Sequence, residues 1–341
     1  MSATVDLEGL ARAAVPPGVV ERLRGARHVL VATHEHPDAD TLGAALALCL
    51  LVEAVGGRAT PVCSDAVPAL YAFMPGIDRF RTDPDPDAYD LLVLCDCASL
   101  ERVGPVAART AALLASLPRL VIDHHASNAA APGDWIDAQA AATCELVTLL
   151  AVRLGIALDA AGGSLATALM AGIVMDTATF AHPNATPRTL EVSAALVEAG
   201  APLSDISRRL YRTKPDAQLR LIGRVLDRLE TTGDGRIVWS TLSLADLEAT
   251  GSGPEHSEGI VELLAQSETA DVAMLLKEQP DGTTRLSVRT KPGGVDATVL
   301  TGRFGGGGHA RAAGATIAAP LPEAVARALA VAGPLAAEVR P

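Results

Sequence analysis

The sequence predicts an α/β protein, with a doubly wound, mostly parallel sheet domain followed by a smaller mixed α/β domain. Three observations support this fold class. Short apolar runs rich in β-branched residues, typical of buried strands, alternate with longer apolar runs typical of helices. This alternation is characteristic of a parallel sheet covered by helices on both faces. The chain of 341 residues also exceeds one typical domain, and its pattern changes after residue 176.

The first half of the chain contains four predicted strands. They cover His28–Ala32, 58–63, 89–95 and 119–122. The predicted helices cover 44–55, a segment that ends at 113–116, Thr143–Leu154 and 164–174. Two glycines follow the helix at 44–55, as is common at helix ends.

The pattern after residue 176 is more helical at first. Helices are predicted at 189–199 and over 204–230, where Pro215 divides the stretch into two. Because 204–230 carries many arginines, we interpret it as a solvated connector. We therefore expect one domain at 1–203, a connecting segment at 204–235 and a second domain at 236–341, with the active site in the cleft between the two domains.

The second domain is predicted to contain a hairpin and a C-terminal helix. A strand begins at Arg236, and the hairpin has its turn at 280–282. The apolar tail at 324–331 is typical of a packing helix, which we expect Gly333 and Pro334 to close.

Composition restricts the functions that this chain can have. Its formal net charge is −12, and no basic track precedes the C-terminal third. Long nucleic acids require such a track, so we expect no long nucleic-acid partner. No apolar run is long enough for a membrane span, and the N-terminus lacks the pattern of a secretory signal. The five cysteines lie mostly in apolar segments, which is typical of reduced thiols in a cytoplasmic protein.

The loop at 33–43 carries His34, Asp38 and Asp40 between the first strand and its helix. In an open parallel sheet such a turn lies at the carboxyl edge of the strands, where ligands bind. Taken alone, the loop is explained equally well by an aspartate that caps the helix.

Other apolar segments end in the same residue types. Asp96 follows one strand, Asp123, His124 and His125 follow another, and Asp176 ends an apolar helix. Carboxylates gathered at one sheet edge repel each other unless divalent cations neutralise them. Histidine and aspartate ligands without thiolates favour Mn²⁺ or a similar ion over structural zinc. The set predicts a two-metal site of the kind that performs displacement at phosphorus.

These motifs resemble those of the DHH phosphoesterase family. The resemblance rests on the Asp-His-His triplet, the first loop and two further acids, namely His34, Asp38, Asp40, Asp96, Asp123, His124, His125 and Asp176. Segments 286–290 and 305–314 resemble the substrate-binding domain associated with that family. The branch that the chain resembles is the nanoRNase type. That branch also removes the 3′-phosphate from adenosine 3′,5′-bisphosphate (pAp), and some members cleave cyclic dinucleotides or their linear products.

The resemblance implies a role for each residue. The implied metal ligands are His34 and Asp38 for one Mn²⁺ and Asp40, His124 and Asp176 for the other, with Asp96 bridging. Asp123 would orient the neighbouring imidazole, and His125 would face the scissile phosphate. Together with Asp96, these two are the implied catalytic residues.

The glycine run at 305–308 is the candidate substrate site. Consecutive glycines can present backbone N–H groups to an anion, especially before a helix, which we expect at 309–313. We predict that five residues bind a phosphate or base of the substrate, namely Arg289, Gly306, Gly307, Gly308 and His309. Arg311 is a candidate for an assisting contact.

The sequence departs from the family pattern at three alanines. Ala39 and Ala44 stand where glycine and serine are usual, which changes loop freedom and one hydroxyl but no ligand. Ala181 stands where an arginine is frequent, which puts one phosphate contact in doubt.

Three function classes remain in view. The first is a Mn²⁺-dependent phosphoesterase, expected to be a homodimer, that acts on short RNA, pAp or dinucleotides such as c-di-AMP and pApA. The second is a RecJ-like single-strand exonuclease or a manganese pyrophosphatase, which the acidic composition and the glycine-histidine motif respectively disfavour. The third is a nucleotide-binding regulator without catalysis, disfavoured because no ligand is missing.

Overall fold

The computed structural model describes residues 6–85, 89–125, 128 and 131–338. They form two compact units that divide between Thr213 and Lys214, called here the first and second domains. The division falls within the stretch expected to be a connector. A helix at Leu203–Tyr211 belongs to the first domain and a helix at Asp216–Asp227 to the second. Each buries an apolar face in its own domain, so the stretch is not the solvated connector expected from its charge.

The first domain contains a five-stranded parallel sheet in the order β2-β1-β3-β4-β5. The strands are β1 (His28–Ala32), β2 (Arg58–Val62), β3 (Leu91–Cys95), β4 (Arg119–Asp123) and β5 (Trp135–Ile136). Every residue of β1 and β3 is buried, as the continuous apolar runs predict. Because β2 and β3 lie on opposite sides of β1, the chain changes winding direction between β1 and β3. Ligands bind at such a switch point.

Helices of the first domain pack against this sheet or against one another. They are α1 (Leu7–Ala14), α2 (Pro17–Gly25), α3 (Ala39–Ala54), α4 (Pro105–Arg109), α5 (Ala111–Ser116), α6 (Thr143–Leu154), α7 (Ser164–Asp176), α8 (Pro187–Glu198) and α9 (Leu203–Tyr211). Short 3₁₀ helices cover Ala69–Tyr71 and Ile77–Arg79. Helix α3 begins five residues earlier than the apolar pattern predicts, because Asp38 caps it.

Two glycines permit close packing of α3 on α7. A Cβ on Gly43 would lie 2.3 Å from the Ala168 carbonyl oxygen. A Cβ on Gly172 would lie 2.5 Å from Asp40 Oδ1. With only 3% aromatic residues, the core is built from small aliphatic side chains, and its helices approach closely.

The second domain contains a six-stranded mixed sheet in the order β10-β11-β9-β8-β7-β6. The strands are β6 (Glu230–Thr231), β7 (Ile237–Leu242), β8 (Val272–Glu278), β9 (Thr284–Thr290), β10 (Gly307–His309) and β11 (Ala312–Ile317). The helices are α10 (Asp216–Asp227), α11 (Leu244–Thr250), α12 (Ile260–Leu264), α13 (Ala297–Gly302) and α14 (Leu321–Glu338), with a 3₁₀ helix at Pro254–Ser257. The predicted hairpin is confirmed, since β8 and β9 pair antiparallel.

Two predictions for the second domain are wrong. The segment expected to be a helix at 309–313 is instead the β10–β11 hairpin, in which Gly308 pairs with Ala313. Gly308 has φ 143°, and a Cβ there would lie 2.6 Å from the Ala312 carbonyl oxygen, so the glycines permit a tight hairpin. The last helix is not closed by Gly333 and Pro334, because its buried stripe of alanines continues past them to Ala336.

The cysteines lie in the buried interior, as the sequence predicts. All five cysteines are free and buried. Burial raises the pKa of the Cys49 thiol to about 12, so this thiol is protonated at neutral pH. None of the helices in the described part of the chain is long and apolar enough to cross a membrane.

A strained turn follows α7 and gives the first prediction. Ala178, Thr179 and Phe180 have φ values of 47°, 58° and 63°, in the left-handed region. Each non-glycine residue there costs about 1–2 kcal/mol. Ala178→Gly should therefore raise the free energy of unfolding by about 1 kcal/mol.

Urea unfolding checks this, with Ala181→Gly as the matched control. Residue 181 is not among the positive-φ positions, so its glycine variant should be no more stable than the wild type. A loss of stability in Ala178→Gly would contradict the strain.

Candidate metal centre

The predicted ligands of the first loop lie at the carboxyl end of β1. His34 is buried in this loop, and Asp38 is the N-terminal cap of α3. Asp38 Oδ1 accepts hydrogen bonds from the N–H groups of Asp40 and Thr41, both at 3.0 Å. Asp38 is therefore a helix cap, and the same side chain belongs to one of the groups that could hold a metal ion.

The structure brings the predicted acids and histidines into three overlapping groups that could hold metal ions. The groups are His34, Asp38 and Asp96; Asp40, His124 and Asp176; and Asp96, His124 and His125. Within each group, one ligand atom per residue lies within 4.8 Å of the others. Asp96 and His124 each belong to two groups. The first two groups coincide with the two ligand sets implied by the family resemblance, apart from the bridging assignment of Asp96 to the second ion.

The distances suit ions of ordinary size. His34 Nε2 lies 3.4 Å from Asp96 Oδ2. His124 Nε2 lies 3.2 Å from Asp176 Oδ2, 3.7 Å from Asp96 Oδ1 and 4.0 Å from Asp40 Oδ2. Ligands about 2.0–2.2 Å from a common ion are separated by about 3–4 Å. The donor set and its spacing therefore fit divalent cations.

The imidazoles of His34 and His124 are oriented alike. His34 Nδ1 lies 2.7 Å from the Glu35 carbonyl oxygen, and His124 Nδ1 lies 3.3 Å from that of Ala140. A carbonyl accepts only from a protonated Nδ1, which leaves Nε2 to face the carboxylates. This is how metal-binding histidines are commonly held.

The electrostatics of the pocket favour added positive charge. Burial, together with the charges of Asp176 and Asp96, raises the pKa of Asp40 well above its usual range. Burial alone would lower the pKa of His124, but the hydrogen bond to Asp176 and the charges of Asp40 and Asp96 raise it to about 10. The raised pKa values mean that Asp40 and His124 bind protons, which offset the negative charge of the acids where no other cation does so.

Asp96 lies among the other acids and histidines and belongs to two of the three groups. It follows β3 with φ 57°, a left-handed conformation that aspartate tolerates better than most residues. Its side chain is 2% exposed. Burial would raise its pKa, but hydrogen bonds from His34 and Thr41 and the nearby imidazoles lower it.

Sequence reasoning missed two threonines that contact these acids. Thr41 Oγ1 lies between His34 Nε2 and Asp96 Oδ2 and is within hydrogen-bonding distance of both. Thr143 Oγ1 donates to Asp96 Oδ1 at 3.0 Å. The N–H groups of Thr143 and Cys144, in the first turn of α6, donate to Asp40 at 2.7 and 2.8 Å. A position at a helix start was the only available signal for Thr143.

Asp123 and His125 of the Asp-His-His triplet contact each other and differ in exposure. Asp123 is fully buried, and its Oδ1 accepts from the backbone N–H of His125 at 3.0 Å. The same oxygen lies 2.7 Å from His125 Nδ1, so the imidazole that Asp123 orients is that of His125. Asn128 donates to the other oxygen of Asp123. The His125 side chain is 37% exposed, which leaves part of its ring accessible to a ligand.

Asp176 is held through the backbone around it. His182 Nδ1 lies 3.1 Å and Asn184 Nδ2 3.2 Å from the Asp176 carbonyl oxygen, and Tyr211 donates to that of Met175 at 2.6 Å. Ala181, which stands where the family pattern frequently has an arginine, is exposed.

The predicted substrate residues of the second domain lie on neighbouring strands. His309 of β10 pairs with Ala312 of β11, which pairs with Arg289 of β9. The Arg289 guanidinium donates to Glu262 Oε1 from Nε and Nη2 at 3.0 and 2.6 Å. Gly306, Gly307 and Gly308 lie at the start of the same hairpin, with 307 and 308 exposed. Arg311 instead donates to the Lys291 carbonyl oxygen and other backbone carbonyls, which is a structural role.

Metal binding should be measurable without catalysis. Adding Mn²⁺ to metal-stripped protein should raise its melting temperature, since binding at about 100 times Kd contributes about 2.7 kcal/mol. Asp96→Asn should lose most of this gain, because Asp96 belongs to two of the three groups that could hold an ion. Asp159→Asn removes the same charge from an exposed position and is the control. An equal Mn²⁺-induced shift in Asp96→Asn would show that Asp96 holds no ion.

The sequence matches two family models, the DHH family N-terminal domain over residues 28–173 and the DHHA1 domain over 242–337. It is 32% identical over 294 residues to the bifunctional oligoribonuclease and PAP phosphatase NrnA of Thermus thermophilus, covering 85% of this chain and 84% of that protein. The corresponding NrnA of Bacillus subtilis is 26% identical over 298 residues, covering 85% and 89%.

A solved structure supports the fold. An exopolyphosphatase-related protein from Bacteroides fragilis matches with a TM-score of 0.81 at 21% identity, covering 99% of this chain and 100% of that one. The predicted α/β fold class is therefore confirmed. The chain belongs to the DHH family, and it is a phosphoesterase with a DHH domain followed by a DHHA1 domain.

Proposed function

We propose that this phosphoesterase hydrolyses short nucleotides, namely oligoribonucleotides of a few residues, the 3′-phosphate of pAp, and cyclic or linear dinucleotides such as c-di-AMP and pApA. The observation that carries the proposal is the set of three overlapping ligand groups, two of which contain Asp96, in a chain similar to two proteins named oligoribonuclease and PAP phosphatase. Those two names do not mention dinucleotides. We include dinucleotides as substrates because their size is similar to that of pAp and of short oligoribonucleotides.

We further propose that two Mn²⁺ ions are the cofactors. His34, Asp38 and Asp96 would hold one ion, and Asp40, His124, Asp176 and Asp96 the other. Bound divalent ions would supply an activated water and stabilise charge on the phosphoryl oxygens. Mn²⁺ suits mixed nitrogen and oxygen ligands, whereas Mg²⁺ favours octahedra of oxygen alone.

The chain's own residues have separate tasks in this proposal. Asp123 fixes the ring of His125 through the 2.7 Å contact at Nδ1, so that the opposite side of the ring is available to the scissile phosphate. Thr41 and Thr143 hold the Asp96 carboxylate from both of its oxygens. The first turn of α6 compensates the charge of Asp40 and so keeps this buried acid in place.

The second domain contributes residues that bind substrate. Arg289 and His309 would contact a phosphate or base, and the exposed backbone of Gly307 and Gly308 permits close approach. Glu262 holds the Arg289 guanidinium in place before substrate arrives, because one carboxylate oxygen accepts from two of its nitrogens.

Small substrates are favoured by the charge of the chain. With a net charge of −12, long strands would be repelled beyond the few residues that contact phosphate. We expect the protein to act as a homodimer in the cytoplasm, which sedimentation analysis and cell fractionation would test.

A comparison of substrates tests the proposed function. With Mn²⁺, the protein should hydrolyse pAp, linear diadenylate, cyclic diadenylate or RNA of two to five nucleotides faster than RNA of twenty nucleotides or inorganic pyrophosphate. A rate that rises continuously up to twenty nucleotides would favour a RecJ-like exonuclease, and rapid turnover of pyrophosphate would favour a pyrophosphatase. Binding without turnover of any of them would indicate a regulator.

The same assay separates chemistry from capture. Arg289→Ala and His309→Ala should lower kcat/KM by about 10- to 150-fold, mainly through KM, since a charge-assisted hydrogen bond contributes about 1.5–3 kcal/mol. Both variants should retain the Mn²⁺-induced thermal shift. A fall in kcat alone would instead place His309 at the leaving group, and wild-type kinetics in both would remove them from the substrate site.

A further inference from the structure

Several arginines of the second domain have acidic partners. Arg224 and Arg228 pair with Asp246, and Arg236 pairs with Asp271. Lys277 and Arg285 differ. Within the described part of the chain, neither has a carboxylate oxygen within 4.0 Å, and the Arg285 side chain makes no hydrogen bond.

These two cations lie directly opposite each other on neighbouring strands. Lys277 of β8 is the register partner of Arg285 of β9. Opposite residues in an antiparallel pair leave the sheet on the same face, with Cβ atoms about 4.5–5.5 Å apart. Like charges in this arrangement destabilise a sheet. The pair therefore opposes stability and requires another explanation.

Lys277 is also half-buried, which increases the free-energy cost of keeping its ammonium charged. Its ammonium donates to Ser257 Oγ at 3.0 Å, a neutral partner. Burial and the charge of Arg285 lower the pKa of Lys277, and the more distant Glu258 and Glu262 only partly oppose this. A lysine in these surroundings is stabilised by a bound anion.

The sheet face around the pair is open on one side. Residues Met274, Leu276 and Leu286 point to the opposite face, where they pack in the cluster that contains α14. On the face of the cations, the strand beside β9 presents Gly314, the register partner of Ser287. A Cβ on Gly314 would lie 3.5 Å from Arg285 Nη2, so glycine leaves the guanidinium uncovered.

The same face carries the proposed capture residue. Arg285 and Arg289 are four residues apart on β9 and therefore point to the same side, about 13 Å apart along the strand. Arg289 is neutralised in part by Glu262, whereas Lys277 and Arg285 retain their charge. This face thus offers two separate positions for anions.

We propose that Lys277 and Arg285 form a second phosphate subsite, which binds another phosphodiester of an oligonucleotide whose first phosphate is held at Arg289. Ser257 positions the Lys277 ammonium, and its own hydroxyl donates to the Pro254 carbonyl oxygen. The inference rests on the proposed function and names the residues that favour oligonucleotides over pAp. An ammonium and a forked guanidinium together match the several oxygens of a phosphate.

Binding to metal-stripped protein tests the subsite apart from chemistry. The probes are pAp and 5′-phosphorylated oligoadenylates of two to five nucleotides, titrated into wild type and into the double variant Lys277→Gln, Arg285→Gln. The variant should bind the longer oligoadenylates about 10- to 100-fold more weakly and pAp within about twofold of wild type. The slope of log K against log salt should fall by about 0.7, as expected for one lost phosphate contact.

Controls separate the subsite from other effects. Arg220→Gln removes an exposed charge elsewhere in the second domain and should bind every probe like wild type. The double variant should melt no lower than wild type, because it removes a like-charge pair. Wild-type affinity of the double variant for all oligoadenylates, an equal loss for pAp, or no binding of any oligoadenylate by wild type would overturn the subsite. If wild type binds the series but hydrolyses none of it, the proposed function fails while the subsite stands.

Discussion

The gathering of four aspartates at the carboxyl edge of one sheet is the constraint on which the first domain depends. Asp40 and Asp96 are buried, and Asp38 and Asp176 are partly buried beside them. Such acids repel one another unless positive charge lies between them. The start of α6, the hydroxyls of two threonines and two oriented imidazoles supply part of that charge. The remainder is what divalent ions provide.

The fold brings these acids together through close helix packing. Asp38 and Asp40 lie at the start of α3 and Asp176 at the end of α7, so the separation of the acids depends on how tightly these helices pack. At Gly43 and Gly172 the two helices approach so closely that a side chain at either position would clash with the facing helix. Glycine at these two positions therefore allows the acids of α3 and α7 to come together.

The sequence predicts the strands and the gathering of acids and histidines well, because both depend on local pattern. Continuous apolar runs identify β1, β3 and β4, and acids directly after such runs must meet at one edge. Contacts between distant residues are not visible in this way. Thr41 meets Asp96 across 55 positions, and the start of α6 meets Asp40 across 103. The sequence predicts a helix after the glycine run, whereas this segment forms a hairpin. Local pattern does not show this, because the register of the hairpin depends on pairing with another strand.

Anomalous X-ray diffraction from crystals soaked in Mn²⁺ tests the central claim most directly. Two manganese peaks, about 3.5–4 Å apart, should flank the Asp96 carboxylate, the spacing found in two-metal phosphoryl-transfer sites. His34 and Asp38 should contact one peak, and Asp40, His124 and Asp176 the other. A single peak, or peaks that do not contact Asp96, would contradict the claim that the crowded aspartates exist to hold two ions.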